Sequence, residues 1–258
     1  MKNRINSLFA TKKKNILSVY FTAGYPELND TTTIITELER SGVDLVEIGI
    51  PFSDPTADGP IIQESSHKAL KNGMNLPLLF KQLEGIRKKV AIPLIMMGYF
   101  NPVYQFGVEN FCIKCKETGI DGVILPDLPL LEFKKNFRTF FQTAGLHNIL
   151  LITPQTSNER IIQIDAESTG FIYMVSSSST TGKNQKVEDF HQDYFDRVDS
   201  LRLHSPRLIG FGISDRETYR NACRNAAGAI IGSAFIRSFQ NDVPLHKSIP
   251  YFIHSIRD

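Results

Sequence analysis

Two carboxylates in the 258-residue chain are placed where chemistry could be done. In the apolar stretch VDLVEIGI, Val43, Leu45 and Glu47 fall on one face of an extended strand, because strand side chains alternate between faces. A glutamate among inward apolar residues is costly unless it is paired or used. Glu47 is therefore either bonded structurally to a neighbouring strand or engaged in catalysis. The next segment, PFSDPTADGP, carries Asp54 and Asp58 on a Pro/Gly-rich loop that runs into a helix beginning near Pro60. Asp58 reads either as a helix N-cap, the common use of Asp there, or as the partner of Glu47 in acid–base work. Two carboxylates divide such work when their surroundings push their pKa values apart.

Other small motifs suit an anion. GFGIS contains Gly212, and IGSAFIR places Gly232 and Ser233 at the start of a helical pattern. Glycines let backbone N–H groups approach a phosphate, and a helix start favours its charge; tight strand–helix turns are the alternative. The serine-rich MVSSSSTTGKNQ is not a nucleotide P-loop, since Ser177 stands where that motif needs Gly and Asn184 where it needs Ser or Thr. It lies inside one repeating unit, so an interdomain linker does not fit, and a mobile lid remains. Cys112 and Cys115 of CIKC read as two residues on one helix face rather than a redox or metal half-site, because no second cysteine pair follows.

These residues are positioned by a repeating pattern. Eight apolar, β-branched runs begin near Ile16, Val43, Pro93, Asp121, His147, Gly170, Arg207 and Ala227, with helical patterns such as DTTTIITELERSG, VENFCIKCKETG and SNERIIQIDAESTG between them. Such alternation predicts a parallel sheet. Eight units in about 250 residues predict a closed (β/α)8 TIM barrel with its site on the loops after the strands. No linker divides the chain, so one domain is expected over residues 1–258. With a hydrophobic fraction of 41% and a net charge of +2, the composition excludes an obvious nucleic-acid or membrane-surface role. Lacking a signal-peptide pattern or a bilayer-length apolar run, the chain is expected in the cytoplasm.

VEIGIPFSDPTADGPIIQ resembles the signature segment of the tryptophan synthase α subunit family, and YFTAGYP, MMGYFNP, GFGIS and IGSAF match that family in order and spacing. The resemblance runs from about residue 21 to about residue 237. It implies a barrel that splits indole-3-glycerol phosphate into indole and glyceraldehyde 3-phosphate. It also implies no cofactor in this chain, and a partner β subunit that carries pyridoxal phosphate within an α2β2 heterotetramer. Residues 51–55 and the YFNPVYQFG segment are the expected contact with that partner.

By the same resemblance Glu47 is the general acid–base, Asp58 accepts the indole N–H, and Tyr173 stands beside Glu47, although a barrel-core tyrosine is an equal reading of its position. Phe21, Met97, Tyr99, Leu125 and Phe211 are the expected substrate-pocket residues. Gly182, Gly212, Gly232 and Ser233 match phosphate contacts, and Thr181 matches a lid threonine that touches the catalytic aspartate. No strand run carries an internal lysine, which argues against Schiff-base cleavage. Ser177 and Ser179 depart from the family, which usually has Arg or a small residue and a Gly there, so altered lid closure is expected. A barrel that only activates the β subunit is the rival reading; retention of Glu47, Asp58, Tyr173, Gly212 and Ser233 argues against it.

Overall fold

The computed structural model describes residues 3–176, 192–240 and 243–257. Thr181 and Gly182, with Ser177, Ser179 and the rest of the serine-rich lid segment, lie outside the described residues. Eight parallel strands form where the apolar runs predict them: β1 (Ile16–Thr22), β2 (Leu45–Gly49), β3 (Leu94–Met97), β4 (Gly122–Ile124), β5 (His147–Ile152), β6 (Ile172–Val175), β7 (Arg207–Gly210) and β8 (Gly228–Ile231). Each pairs with its neighbours in sequence, and β8 pairs with β1, so the sheet closes into the expected (β/α)8 TIM barrel. No helix of the described residues is long and apolar enough to cross a membrane.

The connecting helices follow local signals. Thr31–Arg40 and Val108–Thr118 match their periodic patterns, and Gly119 ends the second in the left-handed region at φ +78°, where glycine carries no Cβ penalty. Ser157 caps Asn158–Glu167 by accepting from the Arg160 N–H at 3.3 Å. That helix stops at Glu167, short of the expected Gly170. Cys112 and Cys115 are buried and unbridged, with Cys115 Sγ 3.9 Å from Met96 Sδ, so they pack their helix onto the sheet.

Side-chain alternation creates two apolar layers. Leu17, Val19 and Phe21 of β1 point outward into the layer shared with the helices, together with Ile34, Ile35 and Leu38. Inside the barrel, Ile16, Leu45, Ile95, Ile124, Ile149, Leu208 and Ile230 fill the lower levels. The N-terminal helix, Arg4–Thr11, closes the floor with Ile5 and Phe9; the Phe9 ring lies 5.7 Å from Phe171. Asn3 caps this helix, and Arg4 and Arg87 both bind Asp121, at 3.0 and 2.5 Å, which anchors the floor to the start of β4. With the floor helix packed against the lower core, the barrel interior opens at the carboxyl ends of the strands. Ile5 is fully buried, so Ile5→Ala should cost about 2–5 kcal/mol of folding stability in a denaturant titration, through the cavity it leaves.

Candidate active site

Glu47 projects from the middle of β2 into the barrel, level with Tyr20 of β1 on one side and Ile95 of β3 on the other. It is fully buried. Ser18 donates its hydroxyl to Glu47 Oε1 at 2.7 Å, and among the described residues Oε2 has no partner. Burial disfavours the carboxylate and pushes the group up to about 7; the Ser18 hydrogen bond opposes that only in part.

Asp58 stands on the loop after β2, which enters the helix Pro60–Lys71. Gly59 occupies the cap position of that helix with no side-chain bond, so Asp58 is not spent as a cap. Its Oδ2 instead accepts from the Tyr99 hydroxyl at 3.1 Å, and the same hydroxyl accepts from the Ala57 N–H at 2.9 Å. Gln63 Nε2 donates to the Asp58 carbonyl at 2.9 Å, and the Phe52 and Tyr99 rings lie 5.1 Å apart. The carboxylate is thus held at the barrel mouth by the Tyr99 hydroxyl, while Gln63 braces its backbone and Phe52 packs on the Tyr99 ring. Partial burial raises its pKa to about 6, against the lowering effect of Tyr99.

A cavity of about 420 Å³ opens here, its wall including Tyr20, Asp58, Met97, Tyr99, Val175 and Phe211. Met97, Tyr99 and Phe211, three of the residues expected in a substrate pocket, line this cavity. Phe21 and Leu125 are not: both are buried in the outer layer between strands and helices. Alternation gives the reason, since Tyr20 and Ile124 are the inward residues of those strand ends, and Tyr20 and Pro126 reach the cavity instead. Tyr173 is buried beside Phe211, with ring centroids 6.2 Å apart, and is not itself part of the wall.

Glycines make room for the two inward tyrosines. A Cβ on Gly49 would sit 2.3 Å from the Tyr20 hydroxyl oxygen, and one on Gly210 would sit 2.1 Å from that of Tyr173. Each ring therefore lies across its neighbouring strand. Burial first, then the Asp58 and Glu47 charges, keep the Tyr20 hydroxyl neutral well above its usual range; burial and the same two charges do so for Tyr173.

Past the cavity, Phe211 and Gly212 both take positive φ, +68° and +70°, and Ser176 donates to the Phe211 carbonyl at 2.7 Å, fixing the turn after β7. Gly232 leads directly into the short helix Ser233–Arg237 after β8. Ser233 Oγ is buried with no hydrogen-bond partner among the described residues. The two turns lie in adjacent loops of the same barrel end, as the anion reading of their glycines expects. Of the segments expected to meet a partner, Phe52 lines the cavity and Tyr104 is 58% exposed on the helix Phe100–Phe106.

Tyr99→Phe removes the hydroxyl that stabilises ionised Asp58. The Asp58 carboxyl should then titrate above its value of about 6, as carboxyl-carbon NMR of isotope-labelled aspartate would record.

Residues 7–249 match the family model described as tryptophan synthase alpha chain. The tryptophan synthase alpha chain of Flavobacterium psychrophilum is 56% identical over 255 residues, covering 98% of this chain and 99% of that one. That of Bacteroides fragilis is 52% identical over 247 residues, covering 96% and 94%. Among solved structures, the tryptophan synthase subunit alpha of Legionella pneumophila superposes with a TM-score of 0.88 at 31% identity, covering 100% of this chain and 98% of that one. With the family model and these relatives matching nearly the whole length, and the closed barrel superposing on a solved member, the chain belongs to the tryptophan synthase alpha chain family.

Proposed function

We propose that this chain is a carbon–carbon lyase that cleaves indole-3-glycerol phosphate to indole and glyceraldehyde 3-phosphate in L-tryptophan biosynthesis. It would act in the cytoplasm, within an α2β2 assembly whose β subunit carries pyridoxal phosphate and consumes the indole. The observation that carries this reading is the pair of carboxyls held by different partners: Glu47 by Ser18 inside the barrel, Asp58 by Tyr99 at its mouth.

The separation of their pKa values, about 7 and about 6, suits the two halves of the reaction. Neutral Glu47 protonates indole C3, and ionised Asp58 accepts the indole N–H and stabilises the positive charge that develops on the ring. The Glu47 carboxylate left behind takes the proton of the glycerol C3′ hydroxyl. The C–C bond breaks, its electron pair returns to the indole ring, and glyceraldehyde 3-phosphate leaves with Glu47 again neutral. Met97, Phe211 and the ring of Tyr20 give the indole an apolar wall. The glycine turns at Gly212 and Gly232, with the Ser233 hydroxyl that has no partner among the described residues, offer donors to the phosphate. No lysine stands on any of the eight strands, so proton transfer rather than a Schiff base is the route this barrel supports.

The direct test is glyceraldehyde 3-phosphate release from indole-3-glycerol phosphate, with and without a β subunit. The parent chain should cleave, faster with the β subunit, and Glu47→Gln should lose at least about a thousandfold in kcat. Absence of cleavage in both conditions would overturn the reading. The pH profile is a second check. Activity requires ionised Asp58 and neutral Glu47, so kcat should rise as pH passes about 6 and fall as it passes about 7, giving a narrow bell.

A further inference from the structure

Ser18 and Glu47 are both fully buried, on adjacent strands, and their contact is asymmetric. Oε1 accepts from Ser18 at 2.7 Å, whereas Oε2 is buried with no partner among the described residues. A neutral carboxyl has one carbonyl oxygen and one hydroxyl oxygen, so this asymmetry decides which atom carries the proton. Glu47 Oε1 is the acceptor that the described residues offer to the Ser18 hydroxyl. Either direction leaves one buried O–H without a partner, but in the ionised group Ser18 stabilises the charge on Oε1 and no described residue stabilises that on Oε2, so Oε2 is the more basic oxygen and takes the proton. Ser18 as donor makes Oε1 the carbonyl oxygen and leaves the proton on Oε2.

We propose that Ser18 is a positioning residue for the cleavage reaction: it anchors Glu47 Oε1 and thereby assigns Oε2 as the oxygen that gives up and recovers the proton. The inference rests on reading Glu47 as the acid–base group. In the forward step the Oε2–H bond breaks as the C3–H bond forms, and the electron pair stays on the carboxylate, whose Oε1 half Ser18 stabilises. In the second step Oε2 takes the hydroxyl proton as the C–C bond breaks. The titratable groups facing Glu47 are Tyr20 on β1 and Tyr173 on β6; both stay neutral across the working range. Ile95 of β3, level with Glu47, contributes no charge. Asp58 belongs to the mouth of the cavity, bonded to Tyr99. Ser18 is therefore the side-chain donor bonded to the Glu47 carboxyl among the described residues.

The test compares the parent chain with Ser18→Ala, Ser18→Thr and Glu47→Gln, all full-length. Infrared difference spectra between the parent and Glu47→Gln isolate the carbonyl stretch of neutral Glu47. In Ser18→Ala that band should move to higher frequency, because the carbonyl oxygen loses its donor. The alkaline limb of the kcat profile should move to higher pH, because the anion loses a stabilising hydrogen bond. The plateau kcat should fall about tenfold with KM changed less than about twofold, the signature of lost orientation rather than lost binding. Ser18→Thr, which keeps the hydroxyl, should restore the band and the limb. A Ser18→Ala band and alkaline limb identical to those of the parent would overturn the proposal. If Ser18→Ala folds poorly, Ser18→Cys, with nearly the same volume and a weak donor, carries the same comparison. If Glu47→Gln cleaves as fast as the parent, the acid–base reading itself fails, while the infrared comparison separately decides whether Ser18 bonds the Glu47 carbonyl.

Discussion

A carboxyl group sealed inside a hydrocarbon-lined barrel, with no cation bonded to it among the described residues, is the constraint around which this molecule is organised. Taking a carboxylate out of water costs on the order of several kcal/mol unless it is paired. Among the described residues Glu47 is given a single serine hydroxyl, too little to keep it ionised at neutral pH and enough to orient it. The barrel thereby stores an acid poised near neutrality, and its surroundings are arranged to preserve that state. Isoleucines fill the levels beneath it, the N-terminal helix shuts the floor, and the two neighbouring tyrosines supply hydroxyls that remain uncharged.

The second carboxyl obeys the same logic nearer the surface. Asp58 sits on a loop, reaches the cavity, and is bound by a phenol on a braced backbone, and burial raises its pKa to about 6. Depth in the barrel thus orders the two groups. The deep one keeps its proton and the shallow one gives it up first, although among the described residues no cation is bonded to either to enforce the order. Rigid positioning on a strand and beside a pinned loop substitutes for charge pairing.

The sequence makes the barrel readable because strands buried on both faces appear as unbroken apolar runs, and the eight runs here are regularly spaced. The same property hides which face is which. On β2 the glutamate marks the inner face, so Glu47 is placed correctly. On β1 the run ILSVYFT is buried on both sides, and the resemblance alone puts Phe21 in the pocket where Tyr20 stands. Ser18 is the available signal: a small polar residue on the face of Ile16 and Tyr20, which the pairing of β1 with β2 puts opposite Leu45 and within hydrogen-bond reach of Glu47. Leu125 fails for the same reason, one residue past the inward Ile124. Asp58 stays ambiguous between cap and catalyst until Gly59 is seen to occupy the cap position and the Tyr99 hydroxyl arrives from the end of β3. That partner depends on tertiary packing, and no local pattern encodes it. The turn after β7 is legible because Gly212 takes a positive φ of +70°, which glycine adopts without a Cβ penalty.

The tyrosines that lie across Gly49 and Gly210 have a bearing on how this site can change over time. Each ring occupies the volume a neighbouring Cβ would take, so tyrosine and glycine form one interlocked unit on separate strands. A methyl group gained at either glycine collides with a phenol oxygen, whereas a smaller residue at either tyrosine opens a void above the buried acid. Neither position is free to drift alone. A path to a different indole pocket would have to cross a double substitution, with the less damaging order being loss of the ring first and gain of the methyl second. The site is thus held in place by mutational epistasis as much as by its folding energy.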